Sequence, residues 1–214
     1  MTHVVTQVLE TQEGFEMTNT QDQTAPAAQD STEVPVGHLV QRLLREHRRW
    51  RTRDFPLIAH LFEEAQSAEG AAQPPCLAPL QNAFYRLCAE LEGHMNREET
   101  ILFPAIIDAN AKDAQSGDAQ TETRSPRPSF GSIRNPIAMV EQEHDWETER
   151  LEKIRELAQN YELPESAPEK LRLLFHELEA LEAAMHAHTR LESSILFASA
   201  LSRERKARHT KPPA

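Results

Sequence analysis

Apolar side chains recur along four stretches of this chain at alternating steps of four and three residues. One stretch carries Val36, Val40, Leu43 and His47; another carries Leu80, Phe84, Leu87, Leu91, His94, Glu98, Ile101 and Ala105. A third carries Ile133, Ile137, Val140 and His144, then Leu151 and Ile154; the last carries Leu174, Leu178, Leu181, Met185, His188, Glu192, Ile195 and Ser199. Steps of this kind put one stripe on one face of an α-helix. The pattern predicts helices starting near Val36, over about Leu77 to Ala109, from near Ile133, and over about Glu169 to Arg203. Pro56 interrupts the first, and an interior proline costs ~3 kcal/mol in a helix, so a kink or restart is expected near Phe55.

The stretches repeat. Val36, Val40, Leu43 and His47 match Ile133, Ile137, Val140 and His144, and the second and fourth stretches follow the same steps in the same order. The expected fold is all-α: an up-down-up-down four-helix bundle built from a duplicated helix pair. Between the stripes, Gly70 to Pro79 reads as a loop, Tyr161 to Pro168 as a turn, and residues 111–130, polar and holding Pro126 and Pro128, as a long insertion loop. Residues 1–34 are rich in Thr, Gln, Glu, Asp and Ala and read as a disordered segment. The bundle is expected over 35–203, followed by a basic tail over 204–214.

Composition supports helices and narrows the partners. Apolar residues are 39% and glycines only six in 214 residues, which suits a helical core. The net charge of −11 disfavours nucleic acid. No segment approaches the ~20 apolar residues of a membrane span, and no signal peptide is expected, because no basic stretch precedes an apolar run. Cys76 and Cys88 fit no CxxC spacing and make no disulfide framework. A reducing cytoplasm is expected.

Six polar residues occupy seam positions that a core would fill with apolar groups: His47, His94, Glu98, His144, His188 and Glu192. A lone histidine there is ordinarily a satisfied core residue. Six together change the reading, because a buried carboxylate costs several kcal/mol without a cation and no Lys or Arg shares these stripes near Glu98 or Glu192. Metal ions would neutralise both acids and take the imidazoles as neutral ligands. His and Glu four apart share a face and rise ~6 Å, against ~3.5–4 Å between paired ions. Each His-x3-Glu pair would thus bind one ion through His and bridge both through Glu, with His47 and His144 adding one ligand each. Imidazole with carboxylate suits iron, with manganese the alternative.

The motifs Glu90-x3-His94-x3-Glu98-Glu99-x-Ile-Leu-Phe-Pro, Glu143-His144-Asp145 and His188-x3-Glu192-x2-Ile-Leu-Phe resemble the hemerythrin-like superfamily, and within it most resemble the Repair of Iron Centers family. Glu46-His47-x3-Arg51, ahead of Pro56, looks like that family's first ligand segment. The resemblance spans roughly residues 36–200. It implies an oxo-bridged di-iron centre with four terminal histidines, bridging Glu98 and Glu192, and Glu90 and Glu143 as acids beside the centre, in iron release or proton delivery. It also implies restoration of iron–sulfur clusters damaged by nitric oxide or oxidants, by iron donation, in a monomer or dimer. The alternatives are nitric oxide reduction at the two irons, or oxygen binding or sensing. Oxygen carriers place a further His where this chain has Thr148, and close the site with His-x4-Asp where it has His188-x3-Glu192; both departures disfavour oxygen carriage. Residues 1–34 hold no Cys, so the family's Cys-containing N-terminal domain is not expected. Ala198 stands where Pro is usual.

Overall fold

A computed structural model describes residues 34–67, 74–114 and 132–209, with side chains of 111–114 and 207–209 outside the description. The expected disordered segment before Val34 and most of the expected 111–130 loop fall outside the described residues. Among the described residues, seven α-helices form four rods. The first rod is α1 (Val36–Arg49) and α2 (Phe55–Ser67), the second α3 (Leu77–Arg97) and α4 (Phe103–Ala114), the third α5 (Arg134–Leu157), and the fourth α6 (Glu169–Leu191) and α7 (Ala198–His209). Among the described residues there is no strand.

Three rods are not purely α-helical. Single π-helical turns join their halves, at Trp50–Asp54, Glu98–Leu102 and Glu192–Phe197. Phe55 donates its N–H to the Trp50 carbonyl and Phe103 to the Glu98 carbonyl, each five residues back. The restart expected near Phe55 therefore takes the form of a widened turn, with Pro56 and Pro104 one residue past it. A widened turn absorbs the proline's missing donor without breaking the rod. It also adds one residue to the helical repeat, and this corrects the expected stripes. Ile101 and Ile195 are exposed, whereas Leu102 and Leu196, one position on, are buried.

The rod ends differ from expectation in two places. α4 continues to Ala114 and α7 to His209, so the first residues of the expected insertion loop and of the expected basic tail are helical. Ala-Lys-Asp-Ala and Arg-Glu-Arg-Lys-Ala-Arg are good helix formers, with no Gly or Pro before Gly117 and Pro212. α5 is capped from another rod: Glu204 of α7 accepts from the Ile133 N–H at 3.1 Å and from Ser132 at 3.0 Å. Its far end closes through Gln159, Asn160 and Tyr161, all at positive φ. Such a left-handed stretch is unfavourable for residues other than Gly. It is held by the Tyr161 hydroxyl donating to buried Glu182 at 2.8 Å, itself clamped by Arg155 at 2.6 and 3.1 Å.

The interior is two apolar cores rather than one. One gathers Ile58, Phe62, Phe84, Leu91, Met95, Leu151, Leu178 and Met185. The other gathers Val40, Leu43, Leu102, Ile106, Val140, Leu191 and Leu196. Each rod crosses from one core to the other, and successive rods cross in opposite directions: Leu43 to Ile58, Leu91 to Leu102, Val140 to Leu151, Met185 to Leu196. This is the up-down-up-down arrangement, and every crossing passes a common middle layer. That layer holds His47, His94, Glu98, His144, His188 and Glu192.

Candidate metal centre

All six residues are buried, with Glu98, Glu192 and His47 at 0% exposure. The imidazoles turn Nε2 inward. Glu98 Oε2 lies 3.4 Å from Nε2 of both His47 and His94. Glu192 Oε1 lies 3.4 Å from His188 Nε2, and its Oε2 lies 3.1 Å from His144 Nε2. The His47 and His188 Nε2 atoms are 3.2 Å apart. Two quartets result, His47–Glu98–His188–Glu192 and His94–Glu98–His144–Glu192, each with ligand atoms within 4.8 Å of one another. The quartets share both carboxylates. Both oxygens of Glu98 and of Glu192, and both ring nitrogens of His144, are buried with no hydrogen-bond partner. Groups left this way cost free energy unless something compensates them. A metal ion in each quartet would do so, and the residues present fit a pair of cations.

The electrostatics of the metal-free cluster agree. Burial, then the neighbouring Glu192 charge, pushes the Glu98 carboxyl well above the usual range. Burial opposes ionisation of Glu192 too, but His144 and His188 beside it hold its carboxyl below that range. Burial also opposes the charge on His188, yet Glu192 and Glu46 raise it to about 9. Burial lowers His47 to about 4 and His94 to about 3, aided by neighbouring imidazoles. The two carboxylates are thus pushed in opposite directions, and burial favours the neutral, lone-pair-bearing form of His47 and His94.

A second set of groups surrounds the rings. His47 Nδ1 lies 2.8 Å from Glu99 Oε1, which accepts from Arg51 at 2.6 Å. His188 Nδ1 lies 2.8 Å from Glu46, which accepts from Arg42 at 2.9 Å. His94 Nδ1 faces Glu143 at 3.1 Å and Glu147 at 3.3 Å, and Glu143 pairs with Arg97 at 2.6 Å. Aromatic rings pack the outside: Trp50 against His188 with centroids 4.7 Å apart, Phe103 on His47 and Phe197 on His144. The Thr148 hydroxyl bonds back to the His144 carbonyl at 2.9 Å.

The two acids expected beside the centre are placed differently. Glu143 reaches His94. Glu90 is half-exposed and paired with Arg150 at 3.0 Å. Both line a cavity of about 260 Å³ with Gly93, His94, Arg97, Trp146 and Glu147. Glu147 was not singled out by the sequence. It is 7% exposed, its Oε1 has no hydrogen-bond partner, and burial pushes its carboxyl up to about 8. Glu46, Glu99, Arg42 and Arg97 were also not assigned roles from the sequence, although Glu46 and Glu99 flank ligand positions in the quoted motifs.

Residues 38–125 match the model of the hemerythrin HHE cation binding domain. The chain is also similar to the iron-sulfur cluster repair protein YtfE of Yersinia pseudotuberculosis serotype IB (strain PB1/+) and of Yersinia pestis (strain Pestoides F). Each is 26% identical over 183 residues, covering 85% of this chain and 74% of the relative. Among the described residues no helix is long and apolar enough to cross a membrane. Residues 38–125 are thus similar to the hemerythrin HHE cation binding domain, and most of the chain is similar to the YtfE iron–sulfur cluster repair proteins.

Proposed function

We propose that this chain holds two iron ions between Glu98 and Glu192 and restores iron–sulfur clusters damaged by nitric oxide or oxidants, by supplying iron. His47 and His188 would be terminal ligands of one ion, His94 and His144 of the other, with an oxo group completing the bridge. The observation that carries this reading is the pair of quartets sharing two fully buried carboxylates whose four oxygens have no hydrogen-bond donor. Imidazole with carboxylate favours iron over zinc, which prefers sulfur-rich tetrahedral sites when structural; manganese is the alternative metal. Similarity to the cluster repair proteins supports the repair role.

Bound there, iron would supply redox chemistry and a transferable metal. The chain's own residues hold it, and Trp50, Phe103 and Phe197 wall the rings from solvent. The cavity beside His94 gives a route from the surface to one half of the cluster. Partners on this reading are damaged iron–sulfur proteins, with nitric oxide or oxygen as small ligands. The compartment is a reducing cytoplasm, where Cys76 and Cys88 stay free thiols.

The test is to incubate iron-loaded protein with a nitrosylated or oxidised iron–sulfur enzyme. Client activity should return as the protein loses iron in proportion. Client recovery without iron leaving this chain would sink the donation reading. Catalytic nitrous oxide formation from the reduced protein, with iron retained, would move the assignment to a nitric oxide reductase.

A further inference from the structure

The four inward-facing imidazoles are not supported alike. A carboxylate on the outer nitrogen of a ligand histidine fixes its tautomer and ring angle and makes the inner nitrogen a better donor. His47 and His188 each have one, 2.8 Å away, and each carboxylate is tied to an arginine. The Arg51 guanidinium holds both Glu99 and Glu92, so it fixes Glu99 across from the first rod to the second. In the other quartet, His94 has Glu143, but the outer nitrogen of His144 is buried with no hydrogen-bond partner. What orients His144 is Phe197, stacked with centroids 6.2 Å apart and planes 4° apart. Packing fixes a ring plane without choosing a tautomer or raising basicity.

We propose that Glu99 and Glu46 are positioning residues that make the two halves of the centre unequal, the His47–His188 half binding its metal more tightly than the His94–His144 half. This rests on the two-metal reading above. It adds that the difference is set outside the ligands, by two Arg–Glu–His chains on one side against one, Arg97–Glu143–His94, and an unpartnered His144 on the other.

The experiment titrates metal-free, full-length protein with cobalt(II). Visible ligand-field absorption and equilibrium dialysis would follow wild type, Glu99→Gln, Glu46→Gln and His144→Ala. Repulsion between two dications would separate the binding steps even in a symmetric centre, so the diagnostic is which step each variant moves. Glu99→Gln and Glu46→Gln should each weaken the tighter step by about 10- to 100-fold and change its spectrum. His144→Ala should remove the weaker step and leave the tighter one. Glu99→Asp should retain more of the tight step than Glu99→Gln. Arg51→Gln, at the half-exposed end of the chain, should move the same step by less, and it serves if Glu99→Gln does not fold. The proposal is overturned if His144→Ala weakens the tighter step, or if Glu99→Gln and Glu46→Gln leave both steps unchanged. Wild type binding no cobalt would overturn the two-metal reading itself.

Discussion

Glu147 sits on the inward stripe of α5, three residues after His144 and four before Leu151, at a step the apolar pattern passes over. Apolar stripes lead to His47, His94, Glu98, His144, His188 and Glu192, and the repeated His-x3-Glu spacing marks the two acids among them. Glu147 stands between His144 and Leu151 on its stripe, but it follows its histidine by three residues and falls outside that repeat. Glu46 and Glu99 were harder still: they lie beside the stripe, and only the meeting of rods turns them toward a histidine. Glu90 and Glu143 come from different motifs and line the same cavity, but Glu90 is drawn outward by Arg150 while Glu143 reaches His94. Cys88 is a residue-scale case with a pH consequence. Burial pushes its thiol up to about 12, above the unfolded value of roughly 8.5. Folding thus favours the neutral thiol: that contribution is complete below about pH 8.5 and is lost as pH rises toward 12. At pH 9, iodoacetamide should alkylate Cys76 well before Cys88, read by peptide mass spectrometry. Equal rates at the two thiols would contradict the burial of Cys88.

At the scale of elements, helix count, order and direction were legible, since steps of three and four fix the faces and Gly/Pro clusters separate them. The π turns were not. A stripe extrapolated at a constant period lands on Ile101 and Ile195, and one inserted residue moves the inward face to Leu102 and Leu196. The widened turns begin at Glu98 and Glu192, so each carboxylate points inward at the place where its rod changes register. Pro104 follows one of these turns and Ala198 follows the other. Because the turn at Glu192–Phe197 forms with Ala198 after it, a following proline is not required for such a turn. Pro104→Ala should therefore keep metal content at the wild-type level and change stability by less than about 1 kcal/mol, within the range of mild substitutions. Thermal unfolding and metal analysis check this together, and loss of metal from Pro104→Ala would show that the proline sets the turn. Tyr161→Phe should cost about 1–3 kcal/mol, because it removes a donor from buried Glu182. Chemical denaturation would read the loss; an unchanged midpoint would mean that Arg155 and His186 satisfy Glu182 without the hydroxyl.

At the scale of the bundle, the described residues form two apolar cores separated by one polar layer. Apolar packing above and below aligns the four rods, and their alignment forces two carboxylates and four imidazoles into a space without water-facing partners. The duplication makes this possible, since each helix pair brings a His from one rod and a His-x3-Glu from the next. A layer of unsatisfied ligands is a cost to folding that a bound metal would offset, so on the proposed reading metal binding and stability are coupled. The most direct test is the metal content and absorption spectrum of the purified protein, measured beside Glu98→Ala and Glu192→Ala. The account predicts two irons per chain with an oxo-bridged ferric band in the wild type, and loss of metal in each variant. Retention of both metals in either variant, or a wild-type protein that binds none, would contradict it.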